Sequence, residues 1–257
     1  MKIQKILFTT LLSMSFAFVS AQPKVIAHRG FWDTQGAAQN SIASLVKADS
    51  IGCYGSEFDV WLTTDNCAMV DHDGNFKGVR IEDSDMKTIS AIRLSNGENV
   101  PTLEAYLKRA RKLKTKLILE VKTHRDEART IACADMAMKL VKKYKLTKRT
   151  TYIAFSLAAT KHLIANAPKG TEVYYLSGDL TPKQLKEIGA AGPDYSWDAI
   201  KKNMDWIHQS HALGMKVNVW TVNDENTLRE LIDAKVDFIT TNNPLLLQKL
   251  LKEKKND

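Results

Sequence analysis

Two rhythms of apolar residues alternate along this chain. Short apolar runs are separated by longer stretches in which apolar positions recur every three or four residues. The first rhythm predicts strands and the second amphipathic helices. Val25–His28 reads as the first strand. Asn40–Ser50 reads as a helix with Ile42, Leu45 and Val46 on one stripe, and Ser56–Trp61 as the second strand. Between about 63 and 99 the rhythm breaks: a turn at Thr64-Asp65-Asn66, a short strand through Met69, a polar loop, then a short helix over Ser84–Ile89. It resumes at Pro101, which precedes or opens a helix through Leu113. Further strands are predicted at Lys116–Lys122, Thr151–Phe155, Glu172–Leu176, Asp194–Trp197, Lys216–Trp220 and Asp237–Thr240. The helices after them are Arg125–Tyr144, Ala158–Asn166, one capped by Thr181 and opened by Pro182, Met204–Leu213, Asp224–Ala234 and Pro244–Lys252.

Eight strands, each followed by a helix, imply a parallel sheet. That number of units predicts an α/β fold, a (β/α)8 TIM barrel with a small insertion after the second strand. An open doubly wound sheet is the competing arrangement, but no Gly-rich dinucleotide turn follows any strand.

Polar residues then stand out against the pattern. Glu57 and Asp59 interrupt the second strand and, two apart, point to one face. Two like charges on a buried face are costly unless a cation or firm hydrogen bonds compensate. Glu120 and Lys122 repeat the spacing at the end of the third barrel strand. If that face is the barrel mouth, Glu120 is a third carboxylate, and the set suits one hard divalent cation, magnesium or calcium, better than zinc. His28 and His72 end strand-like runs on either side of the first two carboxylates. Imidazole can take up or give up a proton near neutrality. Arg29 offers a planar fork, and Lys122 a point charge, to phosphate oxygens. Trp220, at the end of the seventh strand, is a candidate pocket wall. Such a constellation describes metal-assisted cleavage of a phosphate diester.

Composition narrows the setting. Residues 1–21 have a short basic head (Lys2, Lys5), an apolar stretch and Val19-Ser20-Ala21 before Gln22, the pattern of a secretory signal peptide. The expectation is an exported protein, periplasmic or secreted, whose domain spans 22–257 and has no stable membrane insertion after cleavage. Lys and Arg number 37 against 29 Asp and Glu, but the excess sits at helix ends and the C-terminus, and no nucleic-acid motif accompanies it. Cys53, Cys67 and Cys133 have no zinc spacing and are expected to be free and buried. Oligomeric state is not legible.

The ordered set of short motifs resembles the glycerophosphodiester phosphodiesterase family. It comprises His28-Arg29-Gly30, Asn40-Ser41, Glu57-x-Asp59, His72-Asp73, Pro101–Ala105, Leu119–Lys122, Val217–Asn223 and Asp237–Pro244. The resemblance implies a TIM barrel with an insertion at about 63–99. It implies a divalent cation on Glu57, Asp59 and Glu120, phosphate contacts from Arg29 and Lys122, and His28 and His72 as the acid/base pair. The implied substrate is a small glycerophosphodiester, cleaved to glycerol 3-phosphate and an alcohol. Three segments depart from the family's usual pattern. Ala38-Gln39-Asn40-Ser41 replaces Pro-Glu-Asn-Thr, an Arg-Thr-Thr run is missing after His72, and Thr241-Asn242-Asn243-Pro244 replaces Thr-Asp-x-Pro. Two other readings compete: phospholipase C- or D-type cleavage of intact lipids, and a non-catalytic glycerophosphodiester-binding protein.

Overall fold

Parity along the strands decides this architecture. In Lys116–Val121 the residues Leu117, Leu119 and Val121 are fully buried against helices, while Ile118 faces a separate apolar cluster with Ile26, Ile153, Tyr174, Leu176 and Phe238. Side chains alternate across a strand, so one strand serves two environments. The outer faces of the strands pack on helices and the inner faces converge on a common axis.

The computed structural model of the chain describes residues 22–256. The predicted signal peptide lies outside the described residues. Eight barrel strands follow in order: β1 (Lys24–Ala27), β2 (Gly55–Leu62), β3 (Lys116–Val121), β4 (Thr150–Ala154), β5 (Val173–Tyr175), β6 (Asp194–Ser196), β7 (Asn218–Trp220) and β8 (Phe238–Thr241). All pair in parallel, in the order β5-β4-β3-β2-β1-β8-β7-β6, and a bridge between Tyr175 and Pro193 brings the two end strands together. The result is the expected (β/α)8 barrel, nearly closed.

The helices begin where their caps dictate. Thr181 accepts from Gln184 N–H and Gln184 reaches back to the Thr181 backbone, with Pro182 opening Pro182–Ile188. Ser41, Thr102, Asp126 and Ser156 cap other helices with their side-chain oxygens. These caps move several predicted boundaries inward: the first helix is Ile42–Ser50 and the long one Glu127–Lys143.

Four expectations need correction. The short helix of the excursion is Met86–Ser90, capped by Asp85 and preceded by a single turn at Ile81–Asp83. A hairpin of Asn75–Phe76 and Val79–Arg80 forms where the sequence predicts a polar loop; its two-residue turn, Lys77-Gly78, has positive φ at both positions, which lysine seldom adopts, so only Gly78 signals it. Asp194–Trp197 stops at Ser196, whose hydroxyl caps an unexpected helix, Trp197–Lys201. All three cysteines are free, but only Cys53 and Cys133 are buried; Cys67 is partly exposed. Among the described residues no helix is long and apolar enough to cross a membrane.

Candidate active site

The inner face of β2 carries Glu57 and Asp59, and the inner face of β3 carries Glu120, paired in register with Asp59. One oxygen from each of these three carboxylates lies within 4.8 Å of the others, and all three residues are buried. The cluster sits at the C-terminal end of the strands, where His28 and Arg29 leave β1. Each spacing read from the sequence thus becomes a shared location.

Backbone geometry holds the first two acids. Arg29 and Gly30 both adopt positive φ, and this turn aims the Arg29 N–H at Glu57 Oε2, 2.8 Å away. Asn40, also at positive φ, grips Asp59 twice: its Nδ2 donates to Oδ2 at 2.9 Å, and its Oδ1 accepts the Asp59 N–H at 3.2 Å. Asparagine tolerates this left-handed conformation better than most residues. Gly30 has less freedom still. A Cβ there would collide with Ser44 Oγ and lie 2.7 Å from the Ser44 carbonyl carbon. Gly30→Ala is therefore expected to cost about 1–3 kcal/mol of stability. A thermal melt unchanged from wild type would refute this.

A single ammonium faces the acids. Lys122 Nζ lies 3.1 Å from Asp59 Oδ1 and 2.8 Å from Glu120 Oε1. The second contact is an ion pair only: Glu120 Oε1 is buried and receives no properly directed hydrogen bond. Burial pushes the Glu57 carboxyl well above the usual carboxylate range, and the like charges of Asp59 and Glu120 push it further. Burial and Asp59 likewise raise Glu120, against the pull of Lys122. Burial alone would raise Asp59 too, but Lys122, His72, the Asn40 bond and Arg29 hold it below its ordinary value. When ionised, three buried carboxylates against the Lys122 ammonium and the neighbouring Arg29 guanidinium still leave an excess of negative charge, and one oxygen is unsatisfied. This oxygen-only donor set fits a hard divalent cation.

The histidines are oriented differently. His28 Nδ1 lies 2.8 Å from Asn242 Oδ1, in the turn after β8. Burial, then the neighbouring Arg29 charge, lowers its pKa to about 4. His72 Nδ1 lies 2.6 Å from the Asp73 carboxylate. Arg29 Nη1 donates to Gln39 Oε1 at 2.5 Å, while its buried Nε has no partner.

These groups border one cleft of about 480 Å³, lined by His28, Arg29, Glu57, His72 and Glu120 on one side and by Phe155, Leu176 and Trp220 on the other. Trp220 lines the cleft; its indole N–H donates to Asp194 O at 2.8 Å, and its ring meets Phe155 edge-on at 5.7 Å. The floor contains a buried trio absent from the sequence expectations: Asn218 Nδ2 lies 2.8 Å from Asp194 Oδ1 and 2.9 Å from Thr240 Oγ1. Burial pushes the Asp194 carboxyl up to about 7. Their signal was present, since each is a polar residue on the inner parity of its strand. Asn242 had a weaker signal, as a neutral residue within a motif that departs from its usual form.

The comparisons with known proteins agree with this geometry. The sequence model of the glycerophosphoryl diester phosphodiesterase family matches residues 28–246. A glycerophosphodiester phosphodiesterase of Caldanaerobacter subterraneus is 25% identical over 246 residues, covering 89% of this chain and 98% of that protein. The crystal structure of a glycerophosphodiester phosphodiesterase from Parabacteroides distasonis superposes with a TM-score of 0.89 at 48% identity, covering 91% of this chain and 98% of the other. A phosphodiesterase of Oleispira antarctica, solved in complex with the product sn-glycerol-3-phosphate, shares the fold at a TM-score of 0.77 and 22% identity, over 90% of this chain and 97% of its own. With its barrel, its cleft and a family match across nearly all the described residues, this chain belongs to the glycerophosphoryl diester phosphodiesterase family and is an enzyme of that class.

Proposed function

We propose that this enzyme hydrolyses small glycerophosphodiesters to glycerol 3-phosphate and an alcohol. In this reading Glu57, Asp59 and Glu120 hold one divalent cation, magnesium or calcium, and His28 and His72 carry the protons. The observation that carries the reading is the meeting of three buried carboxylates with both histidines and Arg29 around one cleft.

When bound, the cation would polarise the phosphoryl group and offset its developing charge. The chain's own residues supply the rest. The Arg29 guanidinium, which lines the cleft, donates to non-bridging phosphate oxygens. Lys122, held between Asp59 and Glu120, adds a fixed positive charge. Lowered to about 4, His28 is neutral at pH 7 and accepts the proton of the attacking oxygen, from water or from the substrate's own 2-hydroxyl. His72, ion-paired with Asp73 when protonated, donates to the leaving alcohol. Phe155, Leu176 and Trp220 shield the reacting phosphate from bulk water.

The test is release of glycerol 3-phosphate from glycerophosphocholine by the mature protein, before and after EDTA, with magnesium or calcium restored. Activity that is lost and recovered supports the reading. A lack of turnover on glycerophosphocholine, glycerophosphoethanolamine and glycerophosphoglycerol with either metal present would sink it. Metal should also raise the melting temperature, by an amount equivalent to about 2.7 kcal/mol at a hundredfold excess over Kd. The gap between loaded and stripped protein should widen from pH 5 to pH 8. Glu57 and Glu120 hold their protons above the usual range, so cation binding must displace them at low pH. An equal gap at both pH values would contradict the assignment of these ligands.

We also propose export, on the leader-like pattern of residues 1–21. A mature N-terminus at Gln22 in the periplasmic or secreted fraction is the expected result; retention of Met1 in the cytosol would overturn it.

A further inference from the structure

The turn after β8 places an amide, not a carboxylate, against His28. Asn242 Oδ1 lies 2.8 Å from His28 Nδ1 and also 3.3 Å from Trp32 Nε1. Indole nitrogen is a donor only. The Asn242 atom shared by Trp32 and His28 must therefore be the oxygen, because the amide nitrogen would face the indole donor with a donor of its own. An oxygen in that place accepts from both, so His28 must carry its proton on Nδ1. In the neutral ring Nε2 is then bare, with its lone pair available.

Asn242 is itself anchored. Its N–H donates to Asn223 Oδ1 at 2.8 Å, and the same oxygen accepts from Thr241 Oγ1 at 3.2 Å. Asn243 N–H donates to Thr241 Oγ1 at 2.9 Å, completing the turn. The amide thus has little freedom to move away from the imidazole. An amide oxygen orients a histidine while stabilising its charged form less than a carboxylate does. The charged and titratable groups around His28 are Arg29 on its own strand end, Asp59 and Glu57 on β2, and His72 on the excursion. Burial, Arg29 and His72 oppose protonation of the ring, and the Asn242 bond and Asp59 favour it.

We propose that Trp32 and Asn242 form a positioning pair that locks His28 in its Nδ1–H tautomer and presents Nε2 as the proton acceptor of the reaction. Trp32 fixes which way the amide points, and the amide fixes the ring. This rests on the reading of His28 as base. It adds two residues outside the proposed cation ligands and phosphate contacts, and explains how a histidine can work here without a carboxylate partner.

The test uses the full mature chain with magnesium or calcium present. Nitrogen-15 NMR of the imidazoles should show His28 as the Nδ1–H tautomer at pH 7. Asn242→Asp should move the acid limb of kcat/KM upward by about one pH unit or more, because a carboxylate favours the imidazolium, while activity at pH 8 stays near wild type. Trp32→Phe frees the amide to turn its NH2 toward His28; kcat should fall about tenfold with KM little changed, consistent with the loss of one orienting hydrogen bond. Asn242→Asp in the Trp32→Phe background should restore kcat at pH 8, since either carboxylate oxygen accepts from Nδ1. An Nε2–H tautomer in the wild type, an acid limb unmoved by Asn242→Asp, or a double variant no better than Trp32→Phe would each overturn the proposal. If His28→Ala keeps wild-type activity, the base reading itself fails and this proposal falls with it. If His28→Ala is inactive and the limb is unmoved, only the role of Asn242 is rejected.

Discussion

Glu57→Gln is expected to lower kcat/KM by about a thousandfold or more, the scale of several kcal/mol that a polarising cation contributes. The substitution is close to isosteric. Among the described residues the only hydrogen-bond donor on Glu57 is the Arg29 N–H at 2.8 Å, and a glutamine oxygen can accept the same bond. The fold should therefore persist. Titration calorimetry should show metal affinity reduced in parallel with activity. The metal-free variant should melt no lower than metal-free wild type, and higher at pH 8. Burial and two like charges raise the Glu57 pKa in the folded state, so the native protein binds more protons than the unfolded chain above the ordinary glutamate range. Stability from this group is thus present at low pH and lost as pH rises through the folded pKa. Glutamine removes that loss. Full activity with unchanged metal affinity would exclude Glu57 as a ligand.

His28→Ala should cost about 10²- to 10⁴-fold in kcat/KM, the usual contribution of a positioned acid or base, with metal affinity unaltered. The contrast with Glu57→Gln separates proton transfer from cation binding. The wild-type pH profile supplies the sign. A base works when unprotonated, so activity should rise with pH through the His28 pKa. Burial and Arg29 lower that pKa to about 4, so the acid limb attributable to His28 should fall well below the 6.5 of an ordinary histidine. Measurements must begin above the pH at which the metal dissociates, which calorimetry at each pH establishes. An acid limb near 6.5 under saturating metal would contradict a His28 that is neutral across this range.

The mouth of the barrel was legible because residues of one strand report on each other. Glu57 with Asp59, and Glu120 with Lys122, differ by two positions and must share a face. The apolar partners of the same strands, Phe58, Val60, Leu117 and Leu119, mark the opposite face by their own parity. A one-residue slip would put both acids against the helices, so register and chemistry are bound together. His28 and His72 could be placed at strand ends for the same local reason. The helix boundaries were less legible, since a capping side chain and the first helical residue look alike until the backbone turns.

Contacts between distant segments carry no such periodic signature. Asn40 lies 19 positions from Asp59, and His28 lies 214 from Asn242. Nothing in either local sequence names its partner. Asp194, Asn218 and Thr240 come from β6, β7 and β8, and become a polar floor only when those strands stand side by side. Sequence by itself determined the alternation of strands and helices, the parity of each strand and the family's ordered motifs, because these are local and periodic. Tertiary structure alone decided that three carboxylates share a space of 4.8 Å, that Lys122 Nζ bridges Asp59 and Glu120, and that an amide stands against His28. Closing the barrel brings the strand ends to one mouth, and that closure is a property of all eight strands together.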